Sequence, residues 1–575
     1  MLAKAEETLT ASLRQYLPSQ LVITSWKDIE VFFKELLERE LSSAADLKKW
    51  LIDRSELEAV LEEDLGWRYI KRSCDTANEE YANAFILFVN EIQPLISPQS
   101  NALDLKLLAS PFLSNLDDSR IDIVVRQIRM RVEIFREENV VLIAEVQTKE
   151  QEYAAINGSM TVEVDGKELT LQQASNFLEQ DDRTKREEVY RKILKRRLQD
   201  RDKLDDLFNE LLKLRNKIAL NAGFKNFRDY MFANLGRFDY NADDCFKFHD
   251  AVAKEVVPLV NFIEKNHKDS LDLDTLRPWD LSAEPNGQKP LRPSENANDL
   301  MKKTISCFTK LDPFLGDCMR AMQDAKRLDL DSRIGKAPGG YNYPLYETGM
   351  PFIFMNSTNS LRDLVTIVHE GGHAVHSIVD KQLELVDYKN LPSEVAELAS
   401  MSMELLSMEH WDDFFTNPED CARARKKHLQ DVLKGLPWIA AVDAFQHWIY
   451  LHPEHDANDR RQAWSDTYNR FTGNVVNWDE MEDAKSNLWQ KQLHIFEVPF
   501  YYIEYGFAQL GAIAVWRNFH LDRKRSLEQY LNALRLGYTR SIGDIYKTAG
   551  VRFDFSANYV KELCDFVKGE LEKVS

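Results

Sequence analysis

The sequence predicts a mainly α-helical protein of two lobes, and three observations carry that prediction. At 575 residues the chain is too long to close around one small core. Charged segments with apolar residues at helical spacing fill most of it, among them residues 26–41, 55–89 and 204–266. Strand signals are confined to two short stretches, 158–171 and 351–356.

Composition bounds the function. A hydrophobic fraction of 44% with 11% aromatics belongs to a folded chain. The net charge of −20 makes nucleic acid a poor partner, and most of that charge reads as solvated surface. Six cysteines, at 74, 245, 307, 318, 421 and 564, form no Cys-x-x-Cys pair, which argues against a disulfide framework or a zinc ribbon and implies a reducing compartment. The opening Met-Leu-Ala-Lys-Ala-Glu-Glu places charges where a signal peptide needs an apolar run, and no apolar stretch approaches membrane-spanning length. A cytoplasmic protein without a membrane partner is expected.

In chain order, residues 1–185 read as an N-terminal helical lobe whose aromatic stripes are core. It carries a β-hairpin near 159–171, where Met160, Val162 and Val164 alternate before Asp165-Gly166 and Leu169 and Leu171 follow. The charge run at 181–203 pairs opposite charges at helical spacing, such as Glu188 with Arg191 and Lys192, and reads as a solvated helix face at the lobe boundary. Residues 186–575 form the second, catalytic domain. Within it the proline-rich stretch 268–293 reads as a loop or linker. Residues 332–343, with Gly335, Gly339 and Gly340, lack the spacing of a phosphate-binding loop and read as a flexible flap whose tyrosines could hold a peptide. Residues 351–356 read as a strand to which an extended peptide could add.

The chemistry concentrates in Thr366-Ile-Val-His-Glu-Gly-Gly-His-Ala-Val-His376. His369 and His373 stand four apart, so a helix sets them on one face within reach of one zinc ion. Glu370, turned aside by one residue, can touch a metal-bound water. Ser360 as N-cap with Asp363 three residues on starts that helix, and Leu361, Leu364, Val365, Val368, Val375 and Ile378 give it an apolar stripe. Gly371 and Gly372 should each cost roughly 1 kcal/mol there relative to Ala, so close approach of a substrate or a neighbouring backbone is expected. His376, on the same face, would close the site as a fourth ligand and is expected to support it or contact a lid instead.

A catalytic zinc needs a third ligand, and residues 391–405 offer Glu394, Glu397 and Glu404 on one face of an apolar helix. Glu397 is the expected ligand, Glu394 the alternative, and Glu404 the acceptor for an imidazole N–H. Downstream, His494 with Tyr501, Tyr502 and Tyr505 offers either donors for an oxyanion or, as aromatics at helical spacing, ordinary core residues. His452 and His455 flank Pro453 in a loop-like setting and are not expected to bind a second metal.

The His369–His376 motif, Glu397 with Glu404, Gly339-Gly340-Tyr341 and residues 494–506 together resemble the thimet-oligopeptidase-like zinc metallopeptidases, most closely the bacterial oligoendopeptidase F branch. The resemblance runs over most of the chain, and the hairpin near Asp165 matches that branch's N-terminal lobe. It implies a two-lobed helical metallopeptidase around a deep central channel, with a small β element near the zinc helix, acting as an endopeptidase on short unstructured peptides. It assigns one zinc ion per chain to His369, His373 and Glu397, the general base to Glu370, and the oxyanion and substrate groups to His494, Tyr502 and Tyr505. The spacing from His494 differs by about a residue from the thimet type, so the two tyrosines share that assignment. Gly339, Gly340, Tyr341, Phe354 and Tyr501 are expected to contact the peptide. The alternatives are a dipeptidyl carboxypeptidase of the same fold, which needs a positive group for the substrate's C-terminus, and a non-catalytic peptide-binding protein, against which the intact Glu370 argues.

Overall fold

The computed structural model describes residues 14–333 and 335–574. Helix α1 (Ala44–Cys74) starts at Ser43, whose side chain accepts the Asp46 amide, and it organises an N-terminal core around Trp50, Leu57 and Leu61. The hairpin forms where alternation predicts it, as β1 (Thr161–Val164) and β2 (Lys167–Thr170). Asp165 and Gly166 turn it with φ of 53° and 75°, the left-handed pair that a two-residue turn of this hand requires.

Helix α2 (Arg183–Gln199) carries the charge run. Lys192 pairs with Glu188, whereas Arg191 reaches Glu187. Arg183 and Arg186 turn instead to Asp280, a fully buried carboxylate in the proline-rich stretch, at 2.8 and 2.9 Å. That stretch is therefore no free linker: a buried carboxylate needs partners, and these hold it down together with a bridge between Leu276 and Val476.

Helices α3 (Ala242–Ala251) and α4 (Ala297–Leu311) belong to the largest hydrophobic core. Strands β3 (Leu328–Asp331), β4 (Tyr341–Tyr343) and β5 (Phe352–Ser357) follow, with β5 in the middle, parallel to β3 and antiparallel to β4. Two expectations change here. The end of the supposed flap is the edge strand β4, and residues 351–356, expected to accept a peptide, form the central strand, whose backbone is already paired on both sides.

Helix α5 (Leu361–Val379) begins at Ser360 with the expected capping box to Asp363. It packs on α6 (Ser393–Ser407). A Cβ on Gly372 would come within 2.7 Å of Ser400 Cα, and one on Gly371 within 2.9 Å of Phe308 on α4. A neighbouring backbone and a core ring, not a substrate, account for those glycines. Helices α7 (Pro418–Leu451), α8 (Leu493–Glu497) and α9 (Ile503–Leu521) complete the surroundings of the site. Among the described residues no helix is long and apolar enough to cross a membrane.

Candidate active site

Four residues apart on α5, His369 and His373 stand with ring centroids 4.9 Å apart, nearly perpendicular. Both direct Nε2 at one carboxylate of α6: Glu397 Oε2 lies 3.3 Å from His369 and 3.5 Å from His373. Each of the three offers a ligand atom within 4.8 Å of the others, a set that can hold one metal ion. Their chemistry, two imidazoles and a carboxylate, is that of an open zinc site. Glu394, one turn earlier, is buried against Arg237 and takes no part.

Neighbours orient the three donors. Glu404 Oε1 lies 2.6 Å from His369 Nδ1, so that nitrogen carries the proton and Nε2 is left as the donor atom. Ser400 Oγ and Tyr501 Oη donate to the two oxygens of Glu397, at 2.9 and 2.8 Å. Burial alone would push Glu397 up, but His373 and His369 hold it well below the usual carboxylate range. On its far side Glu404 meets the buried His428, whose Nε2 is 3.5 Å away.

His369, His373, Glu397 and Tyr501 border a cavity of about 270 Å³. Glu370 faces it, and burial raises its carboxyl against the pull of His369 and His373 and a backbone hydrogen bond at Asn342. One wall is β4 and its approach, Gly340, Tyr341 and Asn342; the opposite wall carries Tyr501 and Tyr505.

His494 stands behind those tyrosines, its Nε2 3.4 Å from Tyr505 Oη. Its tautomer follows from a chain of donors. Trp438 Nε1 can only donate and does so to Gln492 Oε1 at 2.9 Å, which leaves the Gln492 amide nitrogen to donate to His494 Nδ1 at 2.7 Å. The proton of a neutral His494 therefore sits on Nε2, facing the cavity side. Burial pushes this imidazole down to about 4, against a smaller upward pull from Glu397.

Residues 176–564, more than half of the chain, match Peptidase family M3, and residues 19–135 match the Peptidase M3 N-terminal domain. The chain belongs to peptidase family M3. Oligopeptidase PepF of Bacillus subtilis is 23% identical over 412 residues, covering 71% of this chain and 60% of that protein. Oligoendopeptidase F of Lactococcus lactis is 29% identical over 269 residues, covering 44% and 43%. The matches thus span between about two fifths and three fifths of those relatives' own length. The solved structure of PZ peptidase A with an inhibitor superposes with a TM-score of 0.91 at 26% identity, covering 95% of this chain and 97% of that one.

In this M3 chain the fold brings together most, not all, of the residues singled out from sequence. Phe354 is fully buried and stacks on Tyr341 at 4.8 Å, so it supports the cavity wall and touches no substrate. Gly339 lies outside the cavity lining; its φ of 96° serves the turn into β4, and its carbonyl accepts from Asn356. Tyr502, paired with Tyr505 by helical spacing, packs edge-on to His494 at 4.8 Å and does not line the cavity, whereas Tyr501 does. The reason is the turn before α9: Phe500 adopts a φ of 67°, with its carbonyl and Glu504 both held by the buried Arg237, and this swings Tyr501 toward Glu397. His376 borders the cavity at 1% exposure with neither ring nitrogen hydrogen-bonded, and burial pushes it down to about 3. His452 and His455 bond backbone carbonyls beside Trp448 and form no donor set. Ser400, His428, Trp438 and Gln492 were missed, since each acts across elements and leaves no mark in local spacing.

Proposed function

We propose that this chain is a zinc-dependent endopeptidase that cleaves internal bonds of short, unstructured peptides, with one zinc ion at His369, His373 and Glu397. The observation that carries the proposal is the convergence of those donors on one point of the cavity that Glu370 also faces. Zinc bound there supplies Lewis-acid chemistry, polarising a carbonyl and making water nucleophilic near neutral pH. Glu370 takes the proton of the attacking water and passes it to the leaving amine. Tyr505, with Tyr501 beside it, donates to the developing oxyanion, and the N–H of His494 holds the Tyr505 hydroxyl in place. The edge strand β4 presents the peptide by strand addition, the task first expected of residues 351–356.

Substituting Glu370→Gln tests the scheme. Turnover of a quenched peptide should fall by about 10²–10⁴ while zinc content stays unchanged; near-full activity with zinc retained would overturn it. A second reading, a dipeptidyl carboxypeptidase, rests on Lys381 and Lys389, cations bordering the same cavity and able to take a C-terminal carboxylate. Cleavage of a peptide blocked at both ends excludes it.

A further inference from the structure

A second set of metal-ligand side chains lies in the helical core, away from the cavity. Cys245 and His249 are four apart on α3; Asp443 and His447 are four apart on α7. Each pair therefore projects from one face of its helix, and the two helices pack against each other. Cys245, Asp443 and His447 each offer a donor atom within 4.8 Å of the others. Exposure is 0% for Cys245 and Asp443, 3% for His447 and 1% for His249.

The protein leaves this cluster under-satisfied. His249 Nε2 holds Asp443 Oδ2 at 2.8 Å and His447 Nε2 lies 3.3 Å from the same oxygen, but Asp443 Oδ1 and His447 Nδ1 have no hydrogen-bond partner. A buried carboxylate with an orphan oxygen beside a buried imidazole with an orphan nitrogen is costly unless something else binds them.

We infer that Cys245, Asp443 and His447 form a second divalent-metal site of the zinc type, structural in purpose, that clamps α3 to α7. Charge favours it: one thiolate and one carboxylate neutralise a dication inside a core. Softness favours zinc over magnesium or calcium, which take oxygen donors. Tetrahedral zinc sets its donors roughly 3.3–3.8 Å apart, and the donors here lie within 4.8 Å of one another. His249, bonded to the second carboxylate oxygen, fixes how Asp443 presents the first. Phe246 and Phe500 flank the His447 ring at 4.8 and 5.3 Å, and Phe500 begins the turn that aims Tyr501. The clamp thus backs the tyrosine wall of the active site without touching it.

The whole chain, stripped by chelator and reloaded with cobalt(II), provides the test. A thiolate-to-cobalt charge-transfer band in the near ultraviolet is expected, which the nitrogen and oxygen donors of His369, His373 and Glu397 cannot produce. Zinc analysis should find two equivalents in the wild type, one in a His369→Ala/His373→Ala double variant and one in Cys245→Ser, with His447→Gln as the alternative should Cys245→Ser not fold. Absence of the thiolate band overturns the inference whatever the total metal count. A single equivalent that survives in the double variant and is lost in Cys245→Ser would sink the active-site reading and leave this one standing.

Discussion

His369 and His373 leave 18% and 16% of their side chains open to the cavity, whereas Cys245, Asp443 and His447 are at most 3% exposed. Each cluster draws two donors four apart from one helix, His369 and His373 or Asp443 and His447, and a third from another helix, Glu397 or Cys245. Around the first stand groups that handle protons: Glu370 facing the cavity, and the hydroxyls of Tyr501 and Tyr505. Around the second stand phenylalanine rings. Donor spacing alone therefore does not distinguish a reactive centre from a clamp. Access for water and substrate does, and the surrounding shell decides that access.

Four measurements break or sharpen this comparison. The largest effect is expected from His373→Ala, which removes a donor from the open cluster: peptidase activity should disappear into the assay background, and metal analysis should show the open site empty with the protein still folded by circular dichroism. Next, Tyr505→Phe removes a hydroxyl donor, so kcat should fall by about 10²–10³ with KM little changed and zinc retained. An equal fall in binding alone would place Tyr505 in the substrate cleft and not at the oxyanion. Third, Glu404→Ala removes the partner that orients His369, and zinc affinity at the open site should weaken by about 10–100-fold, read by competition with a chromogenic chelator. The sealed cluster, which has no contact with Glu404, should keep its metal.

The smallest effect is one of pH and separates burial from access on the open side. His494 is held down to about 4, below its ordinary value of about 6.5. As pH falls between those values the unfolded chain binds a proton that the folded chain refuses, so stability is present above about 6.5 and is lost as pH falls toward 4. His494→Gln should flatten that loss, by about 1–2 kcal/mol between pH 7 and pH 5 in urea titrations. Identical slopes for variant and wild type would mean that His494 takes up its proton as freely folded as unfolded.

Much of the site was legible because its parts are local. A cap at Ser360, a stripe through Val375 and two histidines four apart describe a helix whose faces follow from the 3.6-residue period, and the structure has that helix. Glu394, Glu397 and Glu404 were recognisable as acids that an apolar helix must satisfy, although only packing sends Glu394 to Arg237 and Glu404 to His369. Phe354 and Tyr502 show the limit. Both lie beside cavity-lining neighbours in sequence, yet sheet pairing buries one and the Phe500 turn rotates the other away.

By itself, then, the chain of residues determined what repeats within one element: the helical character, the hairpin at Asp165-Gly166 and the helix that sets His369 and His373 on one face. Tertiary structure alone decided what meets across elements: that β4 and not β5 offers a free edge, that Tyr501 and not Tyr502 faces Glu397, and that Cys245 finds Asp443 and His447 across almost two hundred residues. The physical reason is that backbone periodicity fixes directions over a few residues, whereas encounters between distant side chains depend on how whole helices and strands pack, which no local spacing records.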